Sequence, residues 1–190
     1  MGLGGADWLE RGERTAEEEP DLALDVLRIQ KGDVVADVGA GVGYFAWRLA
    51  ERVGPMGRVY AVDIQPEMLR LLEQNMARRK LTNVQAVLGT VDDPKLPAGE
   101  IDLILMVDVY HEFSEPQKML RRMRAALKPT GRMVLLEYRK EEPWIPIRLE
   151  HKMTEKEVRL EVESEGFTFE SNLKTLPRQH ILVFRPQRLQ

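Results

Sequence analysis

Five short apolar runs constrain this chain most: residues 34–38, 59–62, 84–88, 101–107 and 133–136. Each is rich in β-branched residues or leucine and is bounded by Gly, Asp or Pro. Uninterrupted apolar runs suit strands buried on both faces, and their alternation with helical patterns predicts a parallel sheet covered by helices. Residues 66–79 start with Pro66 and carry Met68, Leu69, Leu72 and Met76 at helical spacing. Residues 116–127 repeat the pattern with Met119, Leu120, Met123, Ala126 and Leu127, and Lys128-Pro129-Thr130-Gly131 predicts its stop. Thr154-Glu155-Lys156-Glu157 reads as a capping box that opens a helix ending at Gly166. Two closing strands, 167–176 and 180–184, joined tightly by Pro177-Arg178-Gln179, predict an antiparallel hairpin.

With 190 residues the chain is expected to form one domain over 31–190, preceded by a helical cap over 1–30 with Leu22, Val26 and Leu27 on one face. The 28 Lys and Arg nearly balance the 31 Asp and Glu, so the basic footprint of a nucleic-acid binder is missing and no such partner is expected. The chain has no cysteine, which excludes disulfides, thiolate metal sites and a cysteine nucleophile. No apolar run is long enough for a signal peptide or a membrane span, so a cytoplasmic protein without a membrane partner is expected. The irregular stretch 138–152, with Pro143, Trp144 and Pro146, has the length of a binding loop or lid.

The string Asp37-Val38-Gly39-Ala40-Gly41-Val42-Gly43 sits between the first strand and a helix expected to begin near Tyr44. A glycine-rich turn at that junction lets a ligand approach the backbone closely. Asp63 ends the next strand, 20 residues after Gly43, the spacing of an acid that accepts ribose hydroxyls. The third glycine is out of place for a dinucleotide fingerprint. An acid at Asp37 would repel a pyrophosphate and pair with a cationic amino group.

On these residues, together with the Pro66 helix, residues 89–97, residues 101–108 and Lys128-Pro129-Thr130-Gly131, the chain resembles the class I S-adenosylmethionine-dependent methyltransferases from about residue 33 to 184. The resemblance is nearest in style to the ubiquinone-biosynthesis-like branch. It implies an α/β fold: a doubly wound, seven-stranded, mostly parallel, Rossmann-like sheet ending in the antiparallel hairpin. It implies S-adenosylmethionine as cofactor and S-adenosylhomocysteine as product. Asp37 would hold the methionine amino group, Gly39, Gly41 and Gly43 would wrap the methionine and ribose, Asp63 would bind the ribose hydroxyls, and Ile64 would pack on the adenine. Relatives often place an acid directly after Gly89; here Thr90 stands there, leaving Asp92 or the Val91 backbone for the adenine amine. Asp108, at the end of the fourth strand, joins this cofactor set.

Ligands of an open parallel sheet bind beyond the carboxyl ends of its strands. That edge is expected to receive Tyr110-His111-Glu112-Phe113, Glu137-Tyr138-Arg139 with His151-Lys152, and Arg178-Gln179-His180, and so all three histidines. His111 is the candidate general base or acceptor-positioning group, with Glu112 to orient it. Arg139, Lys152 and Arg178 would favour an anionic acceptor. Trp144, Ile145 and Trp8 are lid candidates. The histidine spacing matches no compact metal motif, so no metal is expected. The absence of thiols argues against arsenic and pyrimidine ring-carbon acceptors, and Asp108-Val109-Tyr110-His111 lacks the Asp/Asn-Pro-Pro-aromatic signature of amino-group methylation. The expected reaction is in-line methyl transfer to a small molecule. The alternatives are a protein or RNA acceptor, or a cofactor-binding module without catalysis.

Overall fold

The structure is a computed structural model describing residues 18–187. Its strands are β1 (Val34–Val38), β2 (Arg58–Asp63), β3 (Val84–Leu88), β4 (Ile101–Val107), β5 (Leu127–Arg139), β6 (Lys152–Met153), β7 (Phe167–Asn172) and β8 (Gln179–Pro186). The helices are α1 (Pro20–Val26), α2 (Ala46–Val53), α3 (Pro66–Arg78), α4 (Pro116–Ala126) and α5 (Glu155–Ser164). The sheet runs β3-β2-β1-β4-β5-β8-β7, with β1 to β5 parallel and β8 antiparallel to both β5 and β7. The two-residue β6 pairs with β5 beyond the end of β4.

Alternate residues of each central strand face opposite sides, and both sides are apolar. Val35, Leu103, Leu105, Leu136 and Ile181 join α1, α2 and α3 in one core; Ala36, Ile104, Met106, Leu135 and Phe184 join α4 and α5 in the other. Each fully buried large aliphatic side chain stabilises by about 1.5–3 kcal/mol relative to exposure, so these two layers dominate the fold's stability. The proline-initiated helices appear where the apolar stripes place them, with Met68, Leu69, Leu72 and Met76 of α3 and Met119, Leu120 and Met123 of α4 buried.

Three sequence expectations change. Residues 128–131 belong to β5, which leaves α4 directly; the register shifts between Ile101 and Leu103, and Pro129 occupies an exposed position there. A side chain at Gly131 would come within 2.7 Å of the Ile101 carbonyl, which accounts for the glycine. The connection between β7 and β8 spans 173–178 rather than three residues, because the chain leaves the ladder to bury Leu176 in the first core. In α1 the buried residues are Pro20, Ala23 and Leu24, with Leu27 buried just beyond; Leu22 is exposed. The rest of the expected cap, including Trp8, lies outside the described residues.

The 138–152 connection is tied down at both ends. Lys152, 4% exposed, donates from Nζ to the Ile145 and Glu142 carbonyls, and Lys140 N–H donates to the Met153 carbonyl. Ile145 is core, whereas Trp144 is exposed and donates from its indole to Glu142.

The capping box forms as expected. Thr154 Oγ1 accepts from the Glu157 N–H at 3.0 Å, and Glu157 Oε2 accepts from the Thr154 N–H at 2.8 Å. The hydrogen bond from Lys140, then that from the Thr154 N–H, lowers the Glu157 pKa from its ordinary value. A lowered carboxylate pKa stabilises the fold above the unfolded value and loses that contribution as pH falls through the folded one. Thr154→Ala should cost about 1 kcal/mol in urea unfolding. The difference between wild type and Glu157→Gln should shrink as pH drops below the ordinary glutamate range.

Candidate functional site

Strand order reverses between β1 and β4, because β2 and β3 extend the sheet one way and β4 and β5 the other. The two crossovers leave in opposite directions there, and a crevice opens outside the carboxyl ends of the strands. A cavity of about 200 Å³ occupies that crevice. Among the described residues, Asp37, Asp63, Asp108 and Glu112 line it and no Lys, Arg or His does. The remaining wall is mainly backbone of the glycine loop and apolar side chains, including Ile64, Val91, Phe113 and Met119.

The glycine loop is held from β2. Gly39 and Ala40 N–H groups donate to the Val62 carbonyl at 2.8 and 2.9 Å. The Gly41 N–H donates to Asp63 Oδ2 at 2.9 Å, while Asp63 Oδ1 accepts from the Gln65 N–H at 2.9 Å. Asp63 therefore closes the loop as well as facing the cavity. Gly39 has φ +82°, and a Cβ there would lie 2.5 Å from Val109 Cγ2, so the turn meets the end of β4 only with glycine in this place. Gly43, at φ +90°, serves another contact: its Cβ position is filled by Met76 and Leu72 of α3.

The sequence-predicted cofactor residues converge. Asp37, Gly39, Gly41, Asp63, Ile64, Thr90, Val91 and Asp108 all border the cavity; Gly43 and Asp92 do not. Asp92 accepts from Thr90 Oγ1 at 2.7 Å. Ile64 and Val91 are 52% and 51% exposed. Apolar side chains left that open at a cavity mouth offer surface for a planar apolar ligand group.

At the end of β4, Asp108 adopts φ +49°, uncommon for a residue with a side chain, and its Oδ2 accepts from Gln179 Nε2 of β8 at 2.7 Å. Next to it, the single helical turn Tyr110–Glu112 is anchored by Glu137 of β5, which is fully buried. Glu137 Oε1 accepts from the Tyr110 N–H at 2.9 Å, and Oε2 meets His111 Nδ1 at 2.8 Å. A carboxylate oxygen accepts, so Nδ1 donates and Nε2 faces His151 Nδ1 at 3.1 Å. Burial disfavours the charged imidazole, but the hydrogen bond and charge of Glu137 outweigh it and raise the His111 pKa. Burial, then the hydrogen bond to Glu161, pushes the Tyr110 hydroxyl pKa up.

Several expectations about the acceptor edge are corrected. Glu137, not Glu112, orients His111; Glu112 Oε1 stands 4.0 Å from Nε2 and borders the cavity instead. Arg139 does not face the cavity, because its guanidinium donates to the Leu176 and Pro177 carbonyls and fastens the hairpin connection. Lys152 is buried in its own loop, so the expected cationic cluster does not assemble. His111 and His151 meet, whereas His180 lies between Asn172 and Glu141, 3.0 Å from each. Glu137 and Gln179, which the sequence places at this edge without assigning them a role, are the supporting residues. A charged or amide residue within an otherwise apolar buried strand was their only signal.

The donor set suits one ligand class. Four carboxylates without a cation would repel a pyrophosphate, while they offer acceptors to cationic groups and to paired hydroxyls. S-adenosylmethionine, which carries a cationic amino group and a ribose diol, is chemically compatible with such a lining.

The methyltransferase-domain family matches residues 29–178. A protein-L-isoaspartate O-methyltransferase of Methanothrix thermoacetophila is 33% identical over 114 residues, covering 60% of this chain and 51% of that protein. A demethylmenaquinone methyltransferase of Geobacillus is 32% identical over 111 residues, covering 58% and 47%. The chain thus spans about half the length of these named relatives. A crystal structure of an S-adenosylmethionine-dependent methyltransferase from Aquifex aeolicus superposes with a TM-score of 0.91 at 27% identity, covering 97% of this chain and 98% of that one. The matched span runs from just before β1 to the start of β8 and takes in the glycine loop, the acids at the strand ends and the reversal that opens the crevice; by that span and by its fold, the chain belongs to the methyltransferase-domain family.

Proposed function

We propose that this protein is an S-adenosylmethionine-dependent methyltransferase acting on a small molecule. The observation that carries the reading is the crevice at the sheet reversal, walled among the described residues by Asp37, Asp63, Asp108 and Glu112 and by no basic residue. S-adenosylmethionine supplies a methyl group already activated by a sulfonium. The protein's task is then alignment and exclusion of water, and positioning alone can lower the barrier by several kcal/mol. Asp63 accepts the ribose hydroxyls, Asp37 the amino group, and Ile64 and Val91 flank the adenine. Glu112, Phe113 and Ser114 form the far wall, where the acceptor enters. His111 stands behind Glu112 with its ring fixed by Glu137, which makes it a positioning group for that wall.

A small acceptor is favoured by three features. The chain has little net charge, the described residues of the cavity wall offer no cations to a nucleic acid, and the relatives include demethylmenaquinone methyltransferases and a nocamycin O-methyltransferase. The isoaspartate-directed relative makes a protein acceptor the second reading.

Calorimetry should detect binding of S-adenosylhomocysteine to the folded protein, and no binding would sink the proposal. Asp63→Ala should weaken that binding by about 1–3 kcal/mol, from lost ligand contacts and a loosened glycine loop, with unchanged affinity removing Asp63 from the site. Label from methyl-tritiated cofactor should pass into low-molecular-weight products of a small-molecule extract; transfer into protein instead would favour the second reading. With an active extract, His111→Ala should retain S-adenosylhomocysteine affinity while label transfer falls about tenfold or more.

A further inference from the structure

Two single helical turns, far apart in sequence, bring His111, Glu112 and His151 together, and of the three Glu112 borders the crevice. The rings of His111 and His151 stand edge to face, 5.2 Å between centroids and 72° between planes, an arrangement that points nitrogen at nitrogen. His111 Nε2 is 3.1 Å from His151 Nδ1 and 4.0 Å from Glu112 Oε1, and one donor atom from each of the three lies within 4.8 Å of the others. Ligand atoms bound to a tetrahedral ion at about 2.0–2.2 Å are roughly 3.3–3.6 Å apart. Closing on an ion therefore asks little movement, and the group that must move is the flexible, partly exposed Glu112 carboxylate.

A second, independent feature points the same way. A metal-bound imidazole usually donates its other N–H to a carboxylate that fixes its tautomer and direction. Glu137 holds that place, 0% exposed and 2.8 Å from His111 Nδ1, and its other oxygen is fixed by the Tyr110 N–H. The ring cannot turn Nε2 away from His151 and Glu112 without breaking this buried bond.

We propose that His111 Nε2, His151 Nδ1 and Glu112 Oε1 form a site for one divalent transition-metal ion. Two imidazoles and one carboxylate suit zinc, iron(II), cobalt(II) or nickel(II) rather than the all-oxygen preference of magnesium and calcium. Because Glu112 also borders the crevice, open positions of an ion held there would be available to a ligand entering on the Glu112 side. They would take a hydroxyl or carboxylate oxygen there, supplying the positive charge that Arg139 and Lys152, committed to backbone carbonyls, do not. This consequence for the acceptor rests on the proposed methyl transfer; the metal site itself does not.

The test uses the full chain, stripped with a chelator and titrated with zinc against a chromophoric competitor. Wild type should bind one equivalent. His151→Ala and Glu112→Gln should each weaken binding at least about tenfold, Glu137→Gln by about 10- to 100-fold, and His180→Ala should leave it unchanged. No binding by wild type, or equal affinity in the His111→Ala/His151→Ala double variant, overturns the site. If that double variant fails to fold, His151→Ala alone decides, since its ring sits at the end of a loop. S-adenosylhomocysteine calorimetry on the same samples separates the two proposals: cofactor binding without zinc binding rejects only the metal, and zinc binding without cofactor binding rejects only the methyltransferase reading.

Discussion

A sheet buried on both faces has room for ionisable groups only where its strands end, and that constraint organises this protein. Both layers of the central sheet are apolar, from Val35 and Leu105 on one side to Ile104 and Phe184 on the other. An uncompensated charge within either layer would cost several kcal/mol. The acids that face the crevice accordingly stand at or just beyond strand carboxyl ends: Asp63 closes β2, Asp108 follows β4, and Glu112 lies in the turn after it. Asp37, one residue short of the end of β1, is 3% exposed, yet still reaches the cavity wall.

The reversal of strand order turns that edge into a site. Because β1 lies between β2 and β4, the glycine loop after β1 is met from one side by Asp63 and from the other by Val109. The N–H groups of Gly39, Ala40 and Gly41 are taken by Val62 and Asp63 of β2, and that of Gly43 by the Ala40 carbonyl, so these four do not form a nest of donors. A loop of this composition is often read as a phosphate cradle; here those donors are already committed, and carboxylates flank the turn.

The antiparallel end of the sheet supports the same edge from behind. Gln179 of β8 holds Asp108 in its left-handed conformation, and Glu137 of β5 holds His111. Both are almost wholly buried, so each hydrogen bond is enforced by the cost of leaving it unmade. The terminal hairpin and β5 therefore close the core and also set the geometry of Asp108 and His111 at the strand ends. Arg139 reinforces it by clasping the hairpin connection, a structural duty that removes it from the crevice.

What the sequence determined by itself is whatever depends on local pattern. Apolar runs fixed the strands 34–38, 84–88 and 101–107 to the residue, proline and apolar stripes fixed α3 and α4 to within one, and Thr154 with Glu157 fixed the start of α5. The spacing from Gly43 to Asp63 located one wall of the crevice because loop and strand end follow one another within one βαβ unit. Only the tertiary structure decided how residues from different units share that edge. Glu137 rather than Glu112 orients His111, His151 arrives from 40 positions away, and Arg139 and Lys152 turn to carbonyls. Local pattern carries no record of such partners: which polar group satisfies which is settled when strands far apart in sequence become neighbours, and a buried donor takes the acceptor that packing puts within 3 Å.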